Sequence, residues 1–147
     1  MLQISPSVTA PYGVFVLRLS LGALFVAHSL LKIFIFTLPG TVQFFASLGY
    51  PAALAHFVVA AELIGGVLLM FGLFTRAVSL ILVPVVLGAL WVQLPNGWLF
   101  SNSKGGWEFP AMLTVLLIAQ SLLGSGAFAA RLRPSEDLSY EAASSSF

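Results

Sequence analysis

The stretch YGVFVLRLSLGALFVAHSLLKIFIF, Tyr12–Phe36, decides how this chain folds. Apart from Arg18, His28, Lys32 and two serines, its residues are apolar, aromatic or small. In lipid every backbone N–H and C=O must be satisfied within the segment. A span is therefore helical, and about 20 mostly apolar residues are needed to cross a hydrocarbon core of about 30 Å. This stretch is long enough. Pro11 stands where a helix start tolerates proline, and Pro39-Gly40 closes the run.

Three more stretches pass the same test, at 52–74, 77–94 and 109–126. Pro51 opens the second. Thr75-Arg76 is so short a turn that the second and third must be antiparallel neighbours, and Pro84 is expected to kink the third. A polar stretch, Pro95 to Trp107, leads to the fourth near Glu108-Phe109-Pro110. The expected fold is thus all-α, an integral membrane four-helix bundle over residues 1–130. Between the first two spans, Leu38 to Tyr50 is too short to cross and sets Phe44, Phe45 and Leu48 beside Gln43 and Ser47. That pattern predicts a short amphipathic helix lying in the interface. Residues 131–147, with Pro134, Glu136, Asp137 and Glu141, read as a disordered polar tail.

Composition agrees. Of 147 residues, 59% are hydrophobic and 7% charged, with mean hydropathy +1.03, which excludes an ordinary soluble domain. The net charge of +1 comes from singly scattered Lys and Arg, so nucleic acid is not an expected partner. With no cysteine, disulfides, CxxC chemistry, thiolate metal sites, iron–sulfur clusters and thioether-attached haem are all excluded. Met1 to Pro11 has no Lys or Arg ahead of the apolar run, so the first span is expected to stay in the mature protein. Arg76, Arg131 and Arg133, with Arg18 nearest them, lie on the side holding both termini, while Lys32 and Lys104 lie opposite. The positive-inside rule places both termini in the cytoplasm.

Ionisable residues inside spans carry the functional information, because a charge at the bilayer centre costs about 2.5–3.5 kcal/mol on insertion scales. They are Arg18, His28, Lys32, His56 and Glu62. Counted from the expected helix ends, Arg18 and Glu62 differ in depth by about 6 Å. This predicts an Arg18–Glu62 pair; the plain alternative is a snorkelling Arg18 with a protonated Glu62. Ala61 and Gly65, and Glu62 and Gly66, are spaced for close helix packing and equally for a glycine-floored space beside the carboxyl group. A second cluster is expected at the outer face. His28 and Lys32 share a helix face, and His56, Gln93, Asn96 and Glu108 approach the same level. Trp91, Trp98, Trp107 and Tyr50 form an aromatic belt there. No HxxxH or ExxH spacing supports a metal, and no GxSxG, GxGxxG or P-loop is present.

Leu17-Arg18-Leu19 through His28-Ser29-Leu30-Leu31-Lys32 resembles the opening of the DoxX family, an arginine followed by His-Gly-x-x-Lys. The resemblance continues through Phe44 to Pro51, Glu62 to Gly66, Gly72 to Arg76, Leu94 to Gly97 and Gly105 to Pro110. It covers about residues 14–128. Ser29 stands where the family commonly has glycine, and Gln93 where many members have histidine. The resemblance implies a four-helix protein of the bacterial or archaeal cytoplasmic membrane. It further implies a quinone-linked oxidoreductase subunit, or a member of a redox-stress system. On that expectation His28, Lys32 and Glu108 act on a bound quinone, supported by Arg18, His56, Glu62, Gln93, Asn96 and Trp107. Two alternatives stand beside it: a non-catalytic scaffold for a soluble oxidoreductase, and a small-solute carrier, against which the lack of an inverted repeat argues. Small-residue faces also suit a homo-oligomer.

Overall fold

A computed structural model describes residues 6–130, and the expected tail at 131–147 lies outside the described residues. The chain is helical, with no strand among the described residues. Helix α1 (Pro6–Leu30) continues through a π-helical turn (Leu31–Ile35), and α2 (Leu38–Ser47) is short. Helices α3 (Ala52–Phe71), α4 (Thr75–Gln93) and α5 (Glu108–Leu123) follow, with a 3-10 turn (Leu94–Asn96) closing α4. Three stretches, Ser7–Ile35, Ala52–Phe71 and Thr75–Asn96, are each long and apolar enough to cross a membrane.

Several helix boundaries differ from those the sequence predicts: α3 ends at Phe71, not 74, and α4 takes in Thr75 and Arg76. The first helix starts at Pro6 rather than Tyr12, because a proline near the start, Pro11, removes few helix bonds. Its end is a π turn that no composition signal announces. The last helix has 16 residues and stops at Gly124 (φ 84), so it is shorter than the other spans. The short helix expected between the first two spans is present as α2. Helix α4 continues through Pro84.

Helices α1 and α3 form one antiparallel pair, α4 and α5 another, and α3 joins the two. Glycine sets the first pairing. A Cβ at Gly22 would lie 2.7 Å from the Gly66 carbonyl oxygen, and one at Gly66 would lie 2.8 Å from that of Gly22, so only two glycines allow this approach. Gly65, next along, leaves room for Leu82 of α4. The buried apolar core between the pairs is Leu21, Phe25, Leu69, Val78, Leu82, Val86, Leu113 and Leu117. At the turn end of the bundle, Gly72 (φ 75) caps α3 in the left-handed conformation. The chain beyond α5 crosses this same end: Ala127 N–H donates to Pro11 O at 2.9 Å, and Ala130 N–H to Phe71 O at 2.9 Å. The start of α1 and the end of the described chain are thus at one end of the molecule.

Candidate functional site

Two polar positions within the apolar bundle have different partners from those expected. Arg18, fully buried, reaches the carboxyl end of α3: its Nη1 donates to Leu69 O (3.3 Å) and its Nη2 to Ala127 O (3.1 Å). A cation there complements the helix dipole, adding a second donor to Leu69 O beside the Gly72 N–H and tying the segment after α5 to this end. The guanidinium lies 5.4 Å from the Phe15 ring centroid, and a Cβ at Gly72 would collide with its Nη1. Arg18 is a clamp at the turn end.

Glu62 pairs instead with Lys32, whose Nζ lies 2.5 Å from the carboxylate. The expected Arg18–Glu62 pair is therefore corrected, and inter-helix register explains why. Gly22 faces Gly66, and Ser29 Oγ donates to Val59 O at 2.9 Å. This antiparallel register puts Glu62 level with Val26. From there Arg18 is roughly 12 Å away along α1 and Lys32 roughly 9 Å, and only Lys32 leans the right way. Depths counted from the expected helix ends missed this because the slide of α1 against α3 is set by the Gly22–Gly66 contact and not by where either helix ends. Glu62 is 7% exposed, and a buried carboxylate is tolerated where a hydrogen-bonded cation faces it.

The pair forms part of the wall of a cavity of about 530 Å³ between the two helix pairs, at the end carrying the Leu94–Trp107 loop. Leu24, Phe25 and His28 come from α1, Val86, Ala89 and Gln93 from α4, and Phe109, Pro110 and Leu113 from α5. Phe100, Gly105 and Gly106 close it from the loop. A mostly apolar, aromatic-lined space with a few convergent polar groups is the usual form of a small-molecule site.

His28 Nδ1 lies 2.9 Å from Leu24 O. A carbonyl only accepts, so Nδ1 carries the proton, and in the neutral ring Nε2 is left as an acceptor. The ring stacks on Phe109, with centroids 5.8 Å apart at 15°. Gln93 lines the cavity while its Oε1 accepts from Asn96 Nδ2 at 2.6 Å.

The remaining expected residues divide differently. Asn96 organises the loop, donating also to Lys104 O (3.1 Å) and accepting from Asn102 Nδ2 (2.8 Å). Glu108 does not line the cavity; its Oε1 accepts the Phe100 N–H at 2.8 Å and so fastens the loop. Trp107 stands edge-on to Trp98, centroids 4.5 Å apart, and likewise does not line the cavity. His56 is exposed on α3 with its Nδ1 on Ala52 O, apart from the cluster. Phe25, Phe100 and Phe109 were not singled out by the sequence: Phe25 and Phe109 lie in apolar runs, where an aromatic residue has no distinguishing signal, and nothing local shows which way Phe100 faces from the Pro95–Trp107 stretch. Gly105 and Gly106 had one, a paired glycine before a tryptophan. A Cβ at Gly106 would lie 2.2 Å from Leu99 O, so the loop folds this tightly only with glycine there.

The chain matches the DoxX family over residues 13–94. It belongs to that family. A Bacillus subtilis (strain 168) relative named "Putative oxidoreductase CatD" is 38% identical over 113 residues, which cover 77% of this chain and 80% of that protein. No solved structure matches the chain. The DoxX match takes in Arg18, His28, Lys32, Glu62 and Gln93, and ends before Trp107 and Glu108. Membership and the long apolar helices together make this a membrane protein.

Proposed function

We infer that this chain is the membrane subunit of a redox system and that its cavity binds a quinone. The observation carrying the reading is the convergence of the Lys32–Glu62 pair, the His28 ring and the Gln93 amide on one apolar, aromatic-lined space. The oxidoreductase name of the CatD relative agrees with it. The fit is chemical: Phe25, Phe100 and Phe109 offer faces to a flat ring, and Lys32 Nζ offers charge-assisted donation to a carbonyl oxygen. When bound, a quinone supplies the exchange of two electrons and two protons. The chain's residues hold and orient it, His28 Nε2 exchanges a proton at the cavity wall, and Phe100 with the glycine loop excludes water.

In the membrane, α5 makes the fourth crossing. Its 16 residues rise roughly 24 Å, and the segment past Gly124 completes the passage. Both ends of the described chain then share one face, and the Lys and Arg count of the sequence, four on that side against two opposite, puts that face in the cytoplasm. The loop end with its cavity lies outside.

Titration of the purified full chain in nanodiscs with short-chain benzoquinone and naphthoquinone tests the function. Wild type is expected to bind, and Lys32→Met to bind about 10-fold or more weakly, the effect of losing one charge-assisted hydrogen bond. Absence of binding in wild type, with a soluble oxidoreductase co-purifying in stoichiometric amount, would favour a scaffold instead.

A further inference from the structure

Helix α2 buries one residue, and it is polar: Thr41, 5% exposed. Burying a hydroxyl costs free energy unless it is hydrogen-bonded, and the partner Thr41 finds is informative. Thr41 Oγ1 donates to the backbone carbonyl of Lys32 at 3.0 Å. This carbonyl belongs to the π turn. In an α turn the Phe36 N–H would bond to Lys32 O; here it reaches one residue further back, to Leu31 O, at 2.9 Å. The α-type bond to Lys32 is given up, and a side chain from the next helix replaces it.

The π turn matters because of where it sits. One residue inserted into a helix turns everything beyond it by about 100°, and single π turns concentrate at functional sites for that reason. This one carries Lys32, whose amine meets Glu62 at the cavity wall. The corner joining the π turn to α2 is Thr37, at φ 61 and ψ 153, a conformation a β-branched residue adopts only when its surroundings enforce it. Its Oγ1 accepts the Gly40 N–H, which starts α2 at the angle that brings Thr41 over Lys32.

We propose that Thr41 is a positioning residue for the cavity: its bond to the Lys32 carbonyl holds the π turn, and the π turn aims Lys32 at Glu62 and the bound ligand. The last clause rests on the quinone reading; the rest does not. Without the hydroxyl, the Phe36 N–H can return to Lys32 O, the turn reverts to α, and the lysine rotates off its carboxylate.

The test uses the full chain in nanodiscs, with Thr41→Val and Thr41→Ala removing the hydroxyl and Thr41→Ser keeping it. Reductive dimethylation followed by peptide mass spectrometry gives the modification rate of Lys32 relative to Lys104, the other lysine and an exposed one. Loss of the hydroxyl is expected to raise that ratio about 3–10-fold, the effect of one net hydrogen bond, while Thr41→Ser stays within about twofold of wild type. Hydrogen exchange at residues 31–36 should change in the same variants. Menadione affinity should fall with the rise in Lys32 reactivity. An unchanged ratio in folded Thr41→Val and Thr41→Ala, or a ratio that Thr41→Ser fails to restore, overturns the assignment. A ratio that responds in a chain that binds no menadione instead sinks the quinone reading and leaves the positioning role standing.

Discussion

Replacing Glu62 with glutamine keeps the shape of the side chain and removes its charge, leaving Lys32 facing a neutral amide in a wall that is mostly apolar. Breaking a buried ion pair by deleting one partner costs about 3–5 kcal/mol. Because the Lys32 side chain retains 22% exposure against 9% for Glu62, the lower end, about 3 kcal/mol, is expected. In a chain of this size each kcal/mol moves the melting temperature by about 2–4 °C, so Glu62→Gln should melt about 6–12 °C below wild type. Thermal unfolding in nanodiscs, followed by tryptophan fluorescence, reads this directly. A double-mutant cycle identifies the partner. Lys32→Met combined with Glu62→Leu should recover much of the loss, because no buried charge is then left unpaired. Arg18 and Glu62, lacking contact, should combine additively within about 0.5 kcal/mol. A Glu62→Gln protein as stable as wild type, or a coupling larger with Arg18 than with Lys32, would refute the pairing and the register that explains it.

Gly66→Ala sets a methyl 2.8 Å from the Gly22 carbonyl oxygen and should cost about 1–3 kcal/mol in the same melt. Gly88→Ala, with nothing within 4 Å of its Cβ, should be neutral or slightly stabilising. Arg18→Met removes the side-chain donor from the Leu69 and Ala127 carbonyls, the first of which keeps the Gly72 N–H, and is expected to lower stability by about 1–3 kcal/mol, with Gly72→Ala at least as damaging. Gly106→Ala drives the loop off Leu99 and should weaken quinone binding several-fold more than it lowers the melting temperature would explain, measured by titration beside the melt. Because the chain has no native cysteine, Ser103→Cys and Ala130→Cys can be probed with an impermeant maleimide in intact cells. Labelling of the first and protection of the second is expected; the same response from both contradicts the four-crossing topology.

Hydropathy and length fixed the helices, because the need to satisfy backbone groups in lipid acts on each segment by itself. The short linking helix and the polar residues worth attention, His28, Lys32, Glu62 and Gln93 among them, could likewise be read from local sequence; the tight turn before the third span is expected at Thr75-Arg76 but lies at 72–74, with Thr75 and Arg76 already in α4. Partnership could not. Whether Glu62 meets Arg18 or Lys32 depends on how α1 slides against α3, which the Gly22–Gly66 contact sets across the bundle, and on a π turn held by Thr41 from another helix. Glu108 became a loop fastener and Phe100 a cavity wall because the loop doubles back through Gly105 and Gly106. Short-range rules decide which segments are helical; the contacts that shape the cavity join residues far apart in the chain, and only the folded arrangement selects among them.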